Sequence, residues 1–203
     1  MGFLFLDIES FVDPEDEFSG LNPFHKNSKV IVISYNYYAS HKAPEPGQIK
    51  SPTFLFEWEL GSEGALLTEF YRFLKEVSSG TELLKIVGFN HVAYDLPYLF
   101  ARMAKHKVAP EKELFDLLFT SPRHVDLAQL GMAVSRATKH EGDFRCISQK
   151  SINSYFEIPI KEASGKDVSR FYEKKEFDKI KKYCSEEFTF ELLYRSLLEF
   201  FLH

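Results

Sequence analysis

The sequence predicts an α/β protein with a mixed five-stranded sheet and helices on both faces. Three observations predict it. Three strand-like segments come first, joined by turn-rich stretches, as in an antiparallel meander. A segment of helical period then leads to a fourth strand, a strand–helix–strand step that pairs in parallel through a crossover. Further helical segments flank one more short strand, so helices are left to cover the sheet. The 203 residues suffice for one core, and a single domain over 1–203 is expected.

The first strand lies in "MGFLFLDIES". Alternation puts Leu4, Leu6 and Ile8 on one face and Phe3, Phe5, Asp7 and Glu9 on the other. Residues 11–29 form a polar loop punctuated by Pro and Gly, and "VIVISYNYYA" (30–39) is a long β-rich run. After a turn region at 41–52, "TFLFEW" (53–58) is the third strand. Residues 63–77 carry apolar side chains at 66, 67, 70, 73, 74 and 77, a helical period. "LLKIVGFN" (83–90) is the fourth strand and "RHVDL" (123–127) the fifth. Helices are expected over 95–107, 111–119, 127–138, 147–156 and, as one long element, 175–201.

Composition narrows the function classes. Net charge is −5, which argues against a basic coat for duplex DNA or anionic membranes but not against an acidic, metal-dependent site. The absence of a long apolar run gives no membrane partner, and the N-terminus lacks the basic region and cleavage pattern of a signal peptide. Cys146 and Cys184 are too few and too far apart for a disulfide framework or a zinc site. A reduced, cytoplasmic location is the expectation. Aromatic residues make up 16% of the chain, supplying either a Phe-rich core or rings for stacking.

Three constellations carry chemistry. Asp7 and Glu9 share a strand face, where two like charges oppose each other's ionisation unless a cation compensates. Read alone, the pair is either a site or an acidic strand end. In "GFNHVAYDLPYL" (88–99), Asp95 opens a helix after a strand end. It is either a helix cap or a functional acid at the place where α/β sheets build sites. In "YCSEEFTFELLY" (183–194), Tyr183 and Glu187 stand at i and i+4 and share a helix face, while Glu186 points elsewhere and reads as solvated. Asp126 reads as a cap or structural acid, and Lys166 as a solvated loop lysine.

Together these segments resemble the DEDD superfamily of 3′–5′ exonucleases, in the branch with a tyrosine in its last motif, as found in proofreading domains of family B DNA polymerases. The residues that carry the likeness are Asp7-Ile8-Glu9, then Asn90 through Tyr94-Asp95-Leu96-Pro97-Tyr98-Leu99, then Tyr183-Cys184-Ser185-Glu186-Glu187, with "HVDLAQL" (124–130) between the last two. The resemblance implies a ribonuclease-H-like fold, with three antiparallel strands followed by parallel ones. It implies hydrolysis of single-stranded DNA or unpaired 3′ ends to nucleoside 5′-monophosphates, with two Mg²⁺ or Mn²⁺ ions held by Asp7, Glu9, Asp95 and Glu187. Tyr183 would orient the attacking water, since a phenol with an ordinary pKa near 10 is a poor base at neutral pH. Asn90 and Tyr94 would contact the substrate strand; read alone, Asn90 either meets the terminal nucleotide or only shapes the turn, and Tyr94, Phe11 and Phe89 are either core rings or stacking platforms. One departure stands out: the family ends its last motif in Asp, and this chain has Glu187. The alternatives are an exoribonuclease, or a nucleic-acid-binding module weakened by Glu187. The sequence leaves the oligomeric state open.

Overall fold

The computed structural model describes residues 1–12, 22–138, 147–160 and 165–202; for residues 135–138, Lys166 and Glu187 it describes the backbone but not the side chains. Residues 13–21 of the expected loop, and Cys146, lie outside the described residues.

All five expected strands form one sheet in the order β3-β2-β1-β4-β5. β1 (Gly2–Phe11) pairs antiparallel with β2 (Lys29–Tyr38), and β2 pairs antiparallel with β3 (Thr53–Phe56). β4 (Leu84–Gly88) and β5 (Arg123–Asp126) join in parallel on the other side of β1. The third strand stops earlier than expected, because residues 57–60 turn into a short helix, α1 (Glu57–Leu60). The crossover from β3 to β4 runs through α2 (Glu63–Ser79), started by Ser62, whose side chain accepts the Ala65 N–H.

The alternation along β1 sorts the two cores. Leu4, Leu6 and Ile8 pack with Leu66, Leu67, Phe70 and Leu74 of α2, and with Leu96, Leu99 and Met103 of α3 (Asp95–Lys105). α4 (Glu111–Phe115) and a π turn over Asp116–Thr120 follow on that face, contributing Leu114 and Leu118. Phe3 and Phe5 face the other way. They pack with residues of α5 (Leu127–Thr138), α6 (Gln149–Tyr155) and α9 (Phe190–Leu202). Each buried Phe of this kind contributes roughly 1.5–3 kcal/mol. On the same side, Ile31, Val32 and Phe56 meet Val168 of α7 (Gly165–Glu173) and Ile180, Tyr183 and Cys184 of α8 (Phe177–Glu187).

Two expectations are corrected here. The helix α7 was not foreseen. The long helix over 175–201 is two helices, interrupted at Phe188 and Thr189. A continuous helix would stack positions 187 and 191 on one face. The break lets Phe188 and Phe190 both enter the core, and lets the buried Glu191 accept Asn36 Nδ2 at 2.7 Å and the Tyr38 hydroxyl at 3.2 Å. Burial raises the Glu191 pKa, and the Asn36 and Tyr38 bonds oppose that rise. No helix among the described residues is long and apolar enough to cross a membrane.

Candidate active site

The site begins where β1 outruns β4. The parallel pairing of these strands ends at Phe5↔Val87, while β1 continues to Phe11. β4 leaves close by: a Cβ at Gly88 would lie 2.7 Å from the Leu6 carbonyl oxygen, so only a glycine fits there. Past this point the β4 side of β1 needs another hydrogen-bond partner. Asp95 supplies it, its Oδ1 accepting the Ile8 N–H at 3.0 Å. The cap reading of Asp95 is therefore corrected. The N-cap position belongs to Tyr94, which makes no side-chain cap bond, and Asp95 is the first helical residue. The open Ile8 N–H takes the carboxylate that a cap would have used.

This bond sets three carboxylates around one short segment. Asp7 and Glu9 flank Ile8 on the strand, and Asp95 holds Ile8 itself. Asp7 is half-buried, and Glu9 and Asp95 are 9% and 3% exposed. On the other side of β1 the ladder to β2 slips between Glu9 and Ser10, where Glu9 faces Val32 and Ser10 faces Val30. Bulges of this kind re-aim side chains and recur beside active sites. Among the described residues, no group of three or more His, Cys, Asp and Glu is gathered closely enough to hold a metal ion.

The loop between β4 and α3 is built by Asp126. Its carboxylate accepts the N–H of Asn90 at 2.9 Å and of Val92 at 3.3 Å, and also the Ala128 N–H at 3.0 Å at the start of α5. The structural reading of Asp126 is borne out. Asn90 is exposed and takes a left-handed φ of 58°, a conformation Asn tolerates better than most residues. Tyr94 lies half-buried, its hydroxyl 2.7 Å from Ser10 Oγ and its ring 5.4 Å from that of Tyr98.

Tyr183 is 3% exposed and packs with Val32, the register partner of Glu9, so α8 brings it to the same side of the sheet as Asp7 and Glu9. Its hydroxyl lies 3.7 Å from where a Cβ on Gly165 would stand, at the start of α7. Glu187 is the last residue of α8, and its side chain is outside the described atoms. Glu186 pairs with Lys182 at 3.6 Å on the surface, as a solvated acid should. Phe11 packs on Tyr172 at 5.4 Å, and Phe89 packs against the Phe3/Phe5 cluster, so both belong to the core.

Sequence reasoning missed His91 and His124. Their rings lie 5.5 Å apart beside Asp126, whose Oδ2 is 3.8 Å from His91 Nδ1. His91 is fully buried, and neither ring nitrogen has a hydrogen-bond partner among the described residues. Burial pushes its pKa down to about 4; Asp126 pulls against the shift and His124 adds to it. No spacing signal announces this pair, since one member lies in the turn after β4 and the other in β5.

No family model matches the chain, and no curated protein sequence matches it. Solved structures do. The family B DNA polymerase from the hyperthermophilic archaeon Pyrobaculum calidifontis matches over 100% of this chain at 16% identity, with a TM-score of 0.60. The chain spans 24% of that polymerase. E. coli exonuclease I in complex with a 5cy-dA13 oligonucleotide matches over 65% of this chain and 29% of its own length, at 13% identity and a TM-score of 0.43. The architecture shared with the polymerase, a mixed five-stranded sheet in the order β3-β2-β1-β4-β5 covered by helices, is the ribonuclease-H-like fold.

Proposed function

We propose that the chain is a divalent-cation-dependent 3′–5′ exonuclease of the DEDD type, acting on single-stranded DNA or unpaired 3′ ends and releasing nucleoside 5′-monophosphates. The observation that carries this reading is the Asp95–Ile8 hydrogen bond, which sets a third carboxylate against the strand segment bearing Asp7 and Glu9. Carboxylates on one largely buried strand segment are costly without compensation, and a cation is the compensation this reading assigns.

The donor chemistry fits Mg²⁺ or Mn²⁺. Asp7, Glu9 and Asp95 offer hard oxygen ligands, the kind these ions select. Glu187 is the fourth acid of the motif set, and its position supports the assignment. A carboxylate in the last turn of a helix meets the negative end of the helix dipole, at a cost of about 0.3–1 kcal/mol that a cation would relieve. When bound, two such ions supply the charge that activates a water and stabilises the leaving oxygen.

The chain's own residues do the rest. Asp95 anchors β1 by accepting the Ile8 N–H. Tyr183, packed against α7, holds its hydroxyl in a fixed place to orient a water. Asn90, exposed on the loop that Asp126 shapes, is the residue this reading assigns to the terminal nucleotide. DNA is preferred as substrate because the polymerase that shares the fold is a DNA polymerase.

A 5′-labelled single-stranded oligonucleotide incubated with Mg²⁺ or Mn²⁺ tests this. A stepwise ladder should appear, vanish with a chelator, and vanish in Asp7→Ala. No ladder with either ion, on DNA or on RNA, rejects the reading. A ladder on RNA alone establishes the exoribonuclease instead. The second reading, a weakened nucleic-acid-binding module, rests on Glu187 standing where the family has Asp. A large gain in rate in Glu187→Asp supports it, whereas a loss shows a site adapted to the longer side chain.

A further inference from the structure

We propose that Tyr94 is a positioning residue: through its hydrogen bond to Ser10 it clamps the β1 segment 8–10 onto the start of α3, so that the backbone carrying Glu9 is held in place beside Asp95. The proposal rests on the exonuclease reading for its functional consequence, and on hydrogen-bond geometry for its structural one.

The segment 8–10 lacks the supports of an ordinary central strand. β4 no longer pairs with it, because that ladder ends at Phe5↔Val87. The ladder to β2 is irregular at this very step, slipping between Glu9 and Ser10. Glu9 therefore faces a bulge in β2, where Ile31 is the extra residue, and on its other side β1 has no strand partner. Two consecutive residues of the β4–α3 connection make up the deficit. Asp95 accepts the Ile8 N–H at 3.0 Å, and Tyr94 shares a 2.7 Å hydrogen bond with Ser10 Oγ. The two bonds bracket Glu9, one residue before it and one after.

The rest of the Tyr94 environment suits a fixed strut. Its ring leans on Tyr98, which is 1% exposed, and joins the core formed by Leu96, Leu99 and Ile8. A ring engaged in this way is the core reading of Tyr94 rather than the stacking platform.

Three readouts on the full chain test the clamp in Tyr94→Phe, Ser10→Ala and the double variant. Both single changes keep the bulk of the side chain and remove one partner of the bond. Mn²⁺ affinity, read by electron paramagnetic resonance of the free ion without nucleic acid, should fall about tenfold in each. The kcat on a single-stranded oligonucleotide should fall about tenfold while KM stays within twofold. Amide exchange at Ile8 should quicken. The double variant should be no worse than either single one, because both remove the same bond. Unchanged Mn²⁺ affinity, kcat and Ile8 exchange in Tyr94→Phe overturn the clamp. A raised KM with kcat unchanged also overturns it and makes Tyr94 a substrate contact. A wild-type chain that neither binds Mn²⁺ nor degrades an oligonucleotide defeats the exonuclease reading. The clamp is then decided by Ile8 exchange alone, faster for it and unchanged against it.

Discussion

The carboxylate of Asp126, at the end of β5, receives the backbone N–H of Asn90, two residues past the end of β4, at 2.9 Å. The neighbouring strand end thus shapes the loop that leads into Asp95. Asp126 also accepts Val92 N–H and Ala128 N–H, so one side chain serves the turn and the start of α5.

Asp126→Ala should therefore cost about 2–3 kcal/mol, since three N–H groups lose an acceptor and one of them lies at a helix start. Asp126→Asn retains one carbonyl oxygen and should cost less. Urea denaturation of the two variants checks the order; an Asp126→Ala protein as stable as wild type would remove Asp126 from the loop's support.

Asp95 separates charge from hydrogen bonding. Asp95→Asn keeps an oxygen to accept the Ile8 N–H, so the protein should stay within about 1 kcal/mol of wild-type stability. Asp95→Ala leaves that buried N–H unmatched and should lose about 1–3 kcal/mol. On the exonuclease reading both variants lose the cation-dependent ladder. Parallel melts and oligonucleotide digests distinguish the two effects, and an active Asp95→Asn would show that the carboxylate acts here only as an acceptor.

A buried ion network fixes α3 from below. Glu63, at the start of α2, accepts Val30 N–H at 2.8 Å, Arg102 Nε at 2.7 Å and a second Arg102 nitrogen at 2.5 Å, with His106 Nε2 at 2.7 Å. Burial alone would raise the Glu63 pKa, but the bonds from Arg102 and the Val30 N–H outweigh it and hold the carboxyl below its usual range. Glu63→Ala leaves the Arg102 guanidinium, 3% exposed, without its counter-charge, at a cost of about 3–5 kcal/mol. Glu63→Ala with Arg102→Met should recover part of that loss. Equal stability of the single and double variants would mean that the pair is not coupled.

The strands were legible because period-two patterning and turn residues are local. The facing of Leu4, Leu6 and Ile8 against Phe3, Phe5, Asp7 and Glu9 followed from alternation alone. The Asp95 carboxylate was legible as an acid at a strand end but not as a partner of Ile8, because the open N–H arises only when β4 diverges from β1. The break at Phe188 escaped notice for a similar reason. Residues 177–202 keep a helical period throughout, and the interruption serves contacts of Glu191 with Asn36 and Tyr38 that are remote in sequence.

The His91 ring gives the fold a pH dependence with a definite sign. Its folded-state pKa of about 4 lies below the ordinary value of 6.5. Well above pH 6.5, at about pH 7.5 and higher, the ring is neutral in both folded and unfolded chains and contributes almost no slope. As pH falls from 6.5 toward 4, the unfolded chain takes up a proton that the folded chain refuses, and stability drops. One proton gives about 1.4 kcal/mol per pH unit, so roughly 2 kcal/mol should be lost between pH 6.5 and 5. The groups that face the ring act together: Asp126 favours the charged form, and His124, itself shifted down chiefly by burial, opposes it. Glu63 contributes in a lower window, because its depressed pKa keeps its stabilisation until pH falls below the usual carboxylate range. Urea midpoints of wild type and His91→Gln at pH 7.5, 6 and 5 isolate the His91 contribution. The variant should be less stable at pH 7.5 if it packs poorly, yet its stability should fall less steeply toward pH 5. Parallel slopes for the two proteins would show that His91 titrates alike in the folded and unfolded chain.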